Sequence, residues 1–191
     1  MSGDATGPLG TRREILATAL RLFLARGYDA TSLRQIAEEL HLTKAALYYH
    51  FPAKEHLVIE LTRPFLDDLG VLVADMREST AGSEPRAVLG RYLDLFVRHY
   101  EVVSLLARDP GPHHHPDVGE RIRTLVAAVQ AALTGPDPAL EQRVRIACAL
   151  GAVHAVPTLE LADLTAARET ILDCAVGALS PDVRPRAPRT G

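Results

Sequence analysis

The apolar positions between residues 31 and 51 predict two short helices joined by a tight turn. In the first helix they recur at spacings of three and four residues, which places on one buried face Leu33, Ile36, Ala37 and Leu40. Thr31 and Ser32 come just before this face and have the hydroxyl groups that cap helix N-termini. The first helix is therefore expected to support the helix that follows it.

The second helix is expected over residues 44–50. His41 and Leu42 leave room only for a sharp reversal of the chain, and the hydroxyl of Thr43 can cap the new helix. Leu47 and Phe51 are four residues apart and belong to its buried face. A different stripe points away from them and is expected to be exposed: Lys44, Ala45, Tyr48 and Tyr49.

The side chains of this exposed stripe have the chemistry of a DNA-binding surface. Ala45 and Ala46 allow a helix backbone to approach base edges and can pack against a thymine methyl group, while Lys44 can donate to guanine O6 or N7. Donors that suit phosphate oxygens are Tyr48, Tyr49, His50 and the later Lys54. Together the caps, the turn and the stripe are typical of a helix-turn-helix protein.

Residues 12–57 resemble the DNA-binding domain of the tetracycline-repressor (TetR) family. The resemblance is carried by TRREILATALRLFLARGYDATSLRQIA and LTKAALYYHFPAKEHL and covers about a quarter of the chain. It implies a first helix, from about Thr11 to Arg26, that braces the recognition helix. It also implies DNA contacts at Thr31, Ser32, Thr43, Lys44, Ala45, Tyr48, Tyr49, His50 and Lys54. His41 stands where the family usually has glycine, and we expect mild backbone strain there.

The chain beyond Pro52 has helical periodicity throughout. A helix over residues 54–77 is expected to bend at Pro64, which lacks a backbone donor. A helix that opens near Ser83 and a short one that stops at residues 109–111 are expected next. Three more amphipathic segments follow, over residues 118–129, 139–156 and 165–179.

These elements define an all-α, two-part chain. Residues 11–53 are predicted to form the helix-turn-helix DNA-binding domain, and residues 54–179 a helical domain for effector binding and dimerisation. Disordered tails are predicted at residues 1–10 and 180–191; the second of these is rich in proline and arginine.

The last two helices contain many small residues, which permit close helix approach across a two-fold axis. These residues are Ala147, Ala149, Gly151, Ala152, Ala155, Ala166, Ala167, Ala175, Gly177 and Ala178. Packing within one subunit is the alternative explanation. The family resemblance implies a homodimer interface at these helices, and a dimer would bind two DNA half-sites.

Charge and composition agree with this interpretation. The net charge is −3, but residues 11–56 carry seven basic and five acidic side chains, so salt-sensitive DNA binding is expected. The sequence has no apolar run long enough for a membrane span and no secretory pattern, and a cytoplasmic protein is expected. Cys148 and Cys174 are expected to be reduced, buried thiols.

The resemblance implies a small-molecule effector held among the middle helices, whose binding releases the DNA. Residues that combine apolar surface with polar groups are candidates for this pocket: Met76, Tyr92, Phe96, His99, Tyr100, Leu105, Arg108 and His154. For each of them, a place in the core or on the surface is the alternative. We expect a regulator, and specifically a repressor that leaves a palindromic operator when the effector binds.

Other functions have less support. Three adjacent histidines, His113, His114 and His115, cannot easily converge on one ion, so a solvated loop is expected there rather than a metal site. Neither a cofactor motif nor a catalytic motif occurs, and no catalytic residue, cofactor or metal is predicted. The alternatives are an effector-independent DNA-binding factor or activator, and an enzyme built on the larger helical domain.

Overall fold

The computed structural model describes residues 8–78, 84–134 and 137–180. Over these ranges the chain is helical, with two short 3-10 segments and no strand, which confirms the predicted all-α class. The α-helices of the described ranges are α1 (Pro8–Arg26), α2 (Leu33–Glu39), α3 (Lys44–His50), α4 (Lys54–Glu78), α5 (Pro85–Arg98), α6 (Tyr100–Arg108), α7 (Pro116–Thr134), α8 (Leu140–His154) and α9 (Leu161–Leu179). The 3-10 segments are Gly111–His114 and Val156–Thr158.

Two helix starts differ from the sequence-based prediction. α1 begins at Pro8, so residues 8–10 are helical although the predicted tail included them. Proline suits the first turn because its missing N–H would have no helical partner there. α9 begins at Leu161 rather than near Thr165, and this extra turn brings Leu164 into the core at 2% exposure. The rest of both predicted tails, residues 1–7 and 181–191, lies outside the described residues.

The helices group into two compact units. The first unit contains the chain up to Val71 together with His99–Val126, and thus α1 to α3, most of α4, α6 and the first part of α7. α1 packs against both α2 and α6. The buried core of this unit includes Ile15, Ala19, Leu22, Phe23, Ile36, Leu47, Phe51, Leu57, Leu105 and Val118. The predicted boundary after residue 53 divides the chain by function, into DNA-binding and effector-binding domains, and it stays a prediction.

The second unit contains Leu72–Arg98 and the chain from Ala127 onward, and α5, α8 and α9 pack together in it. Ala149 and Ala175 are fully buried there, so part of the small-residue pattern serves packing within the subunit. α5 and α9 are also joined by ion pairs on their outer side. Arg86 lies 2.7 Å from both Glu169 and Asp173, and Arg168 lies 2.9 Å from Asp94.

One local prediction is wrong and another holds only in part. Cys148 and Cys174 are exposed rather than buried, because both lie on outward faces of α8 and α9. In the segment of adjacent histidines His114 is exposed, as a solvated loop predicts, but His113 and His115 are half-buried and the segment begins in a 3-10 turn. His113 makes a hydrogen bond of 2.7 Å with the carbonyl of Leu106. None of the described helices is long and apolar enough to cross a membrane.

Candidate nucleic-acid interface

The first helix of the motif, α2, is held at its start by a reciprocal cap. The backbone N–H of Gln35 donates to the Ser32 hydroxyl at 3.2 Å, and the backbone N–H of Ser32 donates to the Gln35 side chain at 2.7 Å. Leu33 and Ile36 are buried below this cap. α2 is therefore a fixed support, as its apolar spacing predicts.

The turn between α2 and α3 reverses at His41, whose φ of 53° lies in the left-handed region. Its N–H donates to the carbonyl of Glu38, and the N–H of Leu42 donates to the carbonyl of Ala37. Histidine adopts this conformation at a modest cost in free energy, where glycine would have none. The expected local strain at this position is confirmed.

α3 rests on two buried residues of its inner face. Leu47 is 0% exposed and Phe51 is 1% exposed. The hydroxyl of Thr43 caps the helix by accepting a hydrogen bond of 3.1 Å from the backbone N–H of Ala46. The guanidinium of Arg12 lies 4.9 Å from the centre of the Phe51 ring, so α1 covers the end of α3. The inner face of α3 is the one that the sequence predicts.

The outer face of α3, formed by Lys44, Ala45, Tyr48 and Tyr49, is open to solvent. Lys44 and Ala45 are exposed, and Tyr48 and Tyr49 are 41% and 82% exposed. The Lys44 ammonium lies 5.4 Å from the centre of the Tyr48 ring, and the Tyr49 ring lies 5.3 Å from that of His50. The two tyrosine hydroxyls and the lysine ammonium are exposed hydrogen-bond donors. The small side chain of Ala45 beside them allows another molecule to come close to the helix backbone. Such a face fits a DNA groove.

Ion pairs leave the Lys44 charge available. Arg34 pairs with Glu38 at 2.7 Å and Arg21 pairs with Glu39 at 2.8 Å, so these arginines are compensated. Within the described part of the chain Lys44 has no carboxylate partner. Its charge can therefore interact with DNA without first breaking an ion pair.

Two predicted DNA contacts have roles within the protein. Thr31 is only 1% exposed, and its hydroxyl donates to the carbonyl of Gly27 at 2.9 Å. The Lys54 ammonium donates to the carbonyl of Tyr28 at 2.9 Å and lies 4.0 Å from the centre of the Tyr28 ring. Both side chains hold the turn between α1 and α2, and Thr31 has no surface with which to contact a phosphate.

The same turn contains a contact that sequence analysis missed. The backbone N–H of Tyr28 donates to the carboxylate of Asp109, which lies 81 positions later at the end of α6. Burial raises the pKa of the Tyr28 phenol to about 12, and the carboxylates of Glu55, Asp29 and Asp109 add to this effect. The sequence marks Asp109 only as the start of an Asp-Pro-Gly helix stop, and no local pattern indicates its distant partner.

Three predicted effector-pocket residues form a cluster in the second unit. The Tyr92 hydroxyl makes a hydrogen bond of 2.8 Å with Nε2 of His154, and the Phe96 ring stacks on the His154 ring at 5.4 Å. Burial lowers the pKa of His154 and raises that of Tyr92. At neutral pH both groups are therefore uncharged, and their hydrogen bond joins α5 to α8.

The other pocket candidates are distributed over both units. Met76 belongs to the second unit, whereas the first unit contains His99, Tyr100, Leu105 and Arg108. His99 makes a 2.9 Å hydrogen bond with Asp68, and its ring lies 5.7 Å from that of Phe65. Leu105 is 1% exposed and is part of the first unit's core. It therefore has the core role that the sequence analysis gave as the alternative to lining a pocket. Over the ranges described, no three His, Cys, Asp or Glu side chains are grouped to hold a metal ion.

These features define an all-helical DNA-binding protein with a helix-turn-helix motif. Comparison with known proteins confirms the resemblance: the model of the bacterial regulatory proteins of the tetR family matches residues 15–61, about a quarter of the chain. This segment therefore has the DNA-binding domain of the transcriptional regulators of that family.

The similar proteins of known name include repressors. The HTH-type transcriptional repressor KstR2 of Mycobacterium tuberculosis is 36% identical over 113 residues, which is 59% of this chain and 50% of that protein. KstR2 of Rhodococcus jostii is 42% identical over 102 residues, which is 53% of this chain and 47% of that protein. The chain thus spans about half the length of the curated relatives it matches.

Solved structures show the same fold at lower identity. SCO3833, a TetR-family member from Streptomyces coelicolor A3, superposes with a TM-score of 0.67 at 21% identity, covering 87% of this chain and 90% of that one. GusR of Salmonella enterica gives a TM-score of 0.56 at 22% identity, covering 91% and 97%. At these identities the likeness supports the fold alone.

Proposed function

We propose that this protein is a ligand-responsive transcriptional repressor that binds a palindromic DNA operator as a homodimer. The observation that carries the proposal is the outer face of α3, with Lys44, Ala45, Tyr48 and Tyr49 exposed above buried Leu47 and Phe51. The named relatives that match at 36% and 42% identity are repressors, which supports repression over activation. Because the target is DNA, we place the protein in the cytoplasm.

Base contacts and phosphate contacts are assigned to different residues. Lys44 and Ala45 are assigned to base edges, and Tyr48 and His50 to phosphates. Tyr49, a phosphate donor by its chemistry, is assigned to a base edge because its 82% exposure lets it reach into the groove. Ser32 and Thr43 keep exposed hydroxyl groups at the two helix starts. Thr31 is left out of the interface because it is buried, and Lys54 would have to give up its bond to Tyr28.

Dimerisation is assigned to the outer faces of α8 and α9. Leu140 and Val144 of α8 are 73% and 53% exposed, although both are large and apolar. Exposed apolar or small residues continue from them along both helices: Ala147, Cys148, Gly151, Ala155, Ala166 and Cys174. A Cβ added at Gly151 or Gly177 would meet no atom within 4 Å, so a partner helix could approach closely. Exposed apolar surface of this kind is typical of an interface.

The effector is assigned to the second unit, near Tyr92, Phe96 and His154. Tyr92 and Phe96 are buried, at 1% and 7% exposure, so the exposed His154 ring is the part of this hydrogen-bonded aromatic cluster that a ligand would contact first. A ring and one polar pair suit a small organic molecule better than an ion. Binding there would act by favouring one of two conformations of the dimer. The candidates of the first unit are not part of this proposed site.

The test is selection of bound sequences from a random duplex library at near-physiological salt. A two-fold palindrome is expected, with half-sites about 34–36 Å apart or a multiple of this distance. The matched control is the Tyr49→Ala variant, which should recover the palindrome weakly or not at all. Recovery of no shared sequence by the folded wild-type protein would contradict sequence-specific binding.

The recovered operator then tests regulation. Placed at a reporter promoter, it should lower transcription when the protein is present, whereas increased transcription would favour an activator. A small-molecule library screened for release of the labelled operator tests the effector. Release that is lost in the Phe96→Ala variant, which should still bind the operator, would support the proposed site. If no compound of a broad library released DNA, the effector-independent alternative would be favoured.

A further inference from the structure

The carboxylate of Asp109 joins the end of α6 to the turn between α1 and α2. One oxygen, Oδ2, accepts the backbone N–H of Tyr28, and the other, Oδ1, accepts the backbone N–H of Gly111 at 2.8 Å. The Asp109 N–H itself donates to the carbonyl of Leu105 and so closes α6. One side chain therefore binds two backbone segments that are far apart in the sequence. We call this arrangement the Asp109 bridge.

Two glycines make the close approach around the Asp109 bridge possible. A Cβ added to the buried Gly111 would lie 2.6 Å from Cδ1 and 3.2 Å from Cβ of Tyr28, so a larger residue would push the loop away. Gly27 has a φ of +89°, and a Cβ there would lie 3.5 Å from Oδ2 of Asp109. The left-handed backbone at Gly27 turns the Tyr28 N–H toward the carboxylate.

Tyr28 is held from the opposite side as well. Lys54, the first residue of α4, donates to the Tyr28 carbonyl at 2.9 Å and covers the ring. The Tyr28 ring packs edge-on against Phe23 of α1, with 5.2 Å between the ring centres. The peptide groups of this residue thus connect the end of α6 with the start of α4. α2 begins at Leu33, five positions after Tyr28, so the direction of the helix-turn-helix motif depends on how this turn is held.

We propose that Asp109 is a positioning residue for the recognition helix α3, acting through the α1–α2 turn and without touching DNA. The inference rests on the proposed DNA-binding function and adds a residue of α6 to it. Hydrogen bonds to a carboxylate are stronger than those between neutral groups, and the Tyr28 N–H would lose its acceptor if the carboxylate were removed. A loosened turn populates orientations of α3 that do not fit both half-sites, and operator affinity falls with the competent fraction.

The experiment compares operator binding by the wild-type protein, Asp109→Asn and Asp109→Ala, using the duplex recovered by selection and a scrambled duplex of equal length. Asp109→Ala removes both acceptors, and its operator affinity is expected to fall by about tenfold, the factor typical of one lost bond to a charged group. Asp109→Asn keeps one acceptor oxygen, so its operator affinity should lie between those of the wild-type protein and Asp109→Ala. Binding to the scrambled duplex should change by less than about twofold, since phosphate contacts tolerate misorientation.

Two control variants separate positioning from charge and from stability. Asp29→Asn removes an exposed carboxylate from the same turn and should leave operator binding equal to or tighter than wild type, because a negative charge is lost near phosphate. Leu105→Ala loosens the same core but removes neither carboxylate acceptor of the Asp109 bridge, and it keeps the Leu105 carbonyl to which the Asp109 N–H donates. At temperatures where circular dichroism shows both variants to be folded, Leu105→Ala should keep more operator affinity than Asp109→Ala. Exchange of the Tyr28 amide hydrogen should accelerate in Asp109→Ala.

Several outcomes would overturn the inference. Wild-type operator affinity in a folded Asp109→Ala, or an equal loss in folded Leu105→Ala, would show that the bridge contributes stability only. If Asp109→Ala does not fold, Asp109→Asn decides, and unchanged operator affinity together with unchanged Tyr28 exchange counts against positioning. Failure of the wild-type protein to bind any duplex overturns the proposed function and this inference with it, whereas the outcomes above overturn the inference alone.

Discussion

The outer face of α3 and the outer faces of α8 and α9 are both exposed, yet their side chains differ in length and in polarity. The α3 face has long side chains with polar ends, of which Tyr49 is 82% exposed. The α8 and α9 faces have small or apolar side chains, and Gly151 has open space around it. Long polar side chains reach into a groove and toward phosphates, whereas small ones let two helix backbones approach. This difference is the reason for proposing DNA as the partner of the first face and a second copy of the chain as the partner of the other.

The two faces also differ in what lies beneath them. α3 is seven residues long and depends on Leu47 and Phe51 for its position. α8 and α9 are longer helices that pack along each other, with Ala149 and Ala175 fully buried between the elements of their unit. Changes beneath α3 should therefore affect stability and DNA binding together. Changes on α8 or α9 can separate dimerisation from folding.

The largest effect is expected from Gly151→Arg. A long charged side chain would prevent close approach of a second copy, while the monomer has space for it. Loss of the second half-site should lower operator affinity by about a hundredfold or more. Sedimentation should show monomers with a wild-type helical content, and Ala107→Arg, on the exposed side of α6, is the control. A Gly151→Arg dimer with full operator affinity would remove α8 from the interface.

A large effect on stability, rather than on dimerisation and affinity, is expected from Leu47→Ala. Leu47 is 0% exposed, so the truncation leaves a cavity beneath α3 and should lower the free energy of unfolding by about 2–5 kcal/mol. Denaturant unfolding measures this change. The control is Tyr49→Ala two positions later, which should change stability by less than about 0.5 kcal/mol. If the two variants had equal stability, the inner and outer faces would be wrongly assigned.

Tyr49→Ala and Lys44→Ala should each weaken operator binding by about 1–3 kcal/mol, the size of a good base contact. Both side chains are exposed on the α3 face, so the fold should be unaffected. Fluorescence anisotropy with the operator and a scrambled duplex measures the difference. A proportional loss on both duplexes would indicate phosphate contacts and contradict base recognition by either residue.

The smallest effect concerns pH and His154 at the end of α8. Burial lowers the pKa of the folded His154 below its ordinary value of 6.5, so the unfolded chain takes up this proton first as the pH falls. The contribution of His154 to stability is therefore present above about pH 6.5 and is lost on acidification below it. Melting temperatures between about pH 5.5 and 7.5 should fall less steeply for His154→Gln than for the wild-type protein. Parallel curves would show that His154 is not the responsible group.

The helix-turn-helix motif could be predicted because its determinants are local. Buried Leu47 follows from apolar spacing, and the caps at Ser32 and Thr43 follow from hydroxyl residues placed just before each helix. The left-handed backbone of His41 was expected because the TetR family, which this segment resembles, usually has glycine at that position of the turn. In each case the residues that decide the structure are within a few positions of the element that they form.

The other parts of the site depend on contacts between distant residues. The Asp109 bridge joins positions 81 apart, and nothing near Tyr28 indicates an acceptor from α6. Thr31 has a capping hydroxyl, but its position against α1 turns that group inward to Gly27. Cys148 and Cys174 have apolar neighbours in the sequence, which predicts burial, but neighbours such as Ala149 and Ala175 are buried on the inner faces of α8 and α9 while both cysteines are exposed. Periodicity distinguishes two sides of a helix but does not reveal which side its own subunit covers.

The exposure of Cys148 and Cys174 has a practical consequence. The chain has two cysteines, and both thiols can accept a nitroxide spin label. Replacing one of them by serine leaves one labelled position per subunit, on α8 or on α9. Because both positions belong to the face proposed for dimerisation, the mobility of the label would report whether that face becomes covered when two copies meet. A label that stays equally mobile at all protein concentrations would show that the labelled helix remains uncovered.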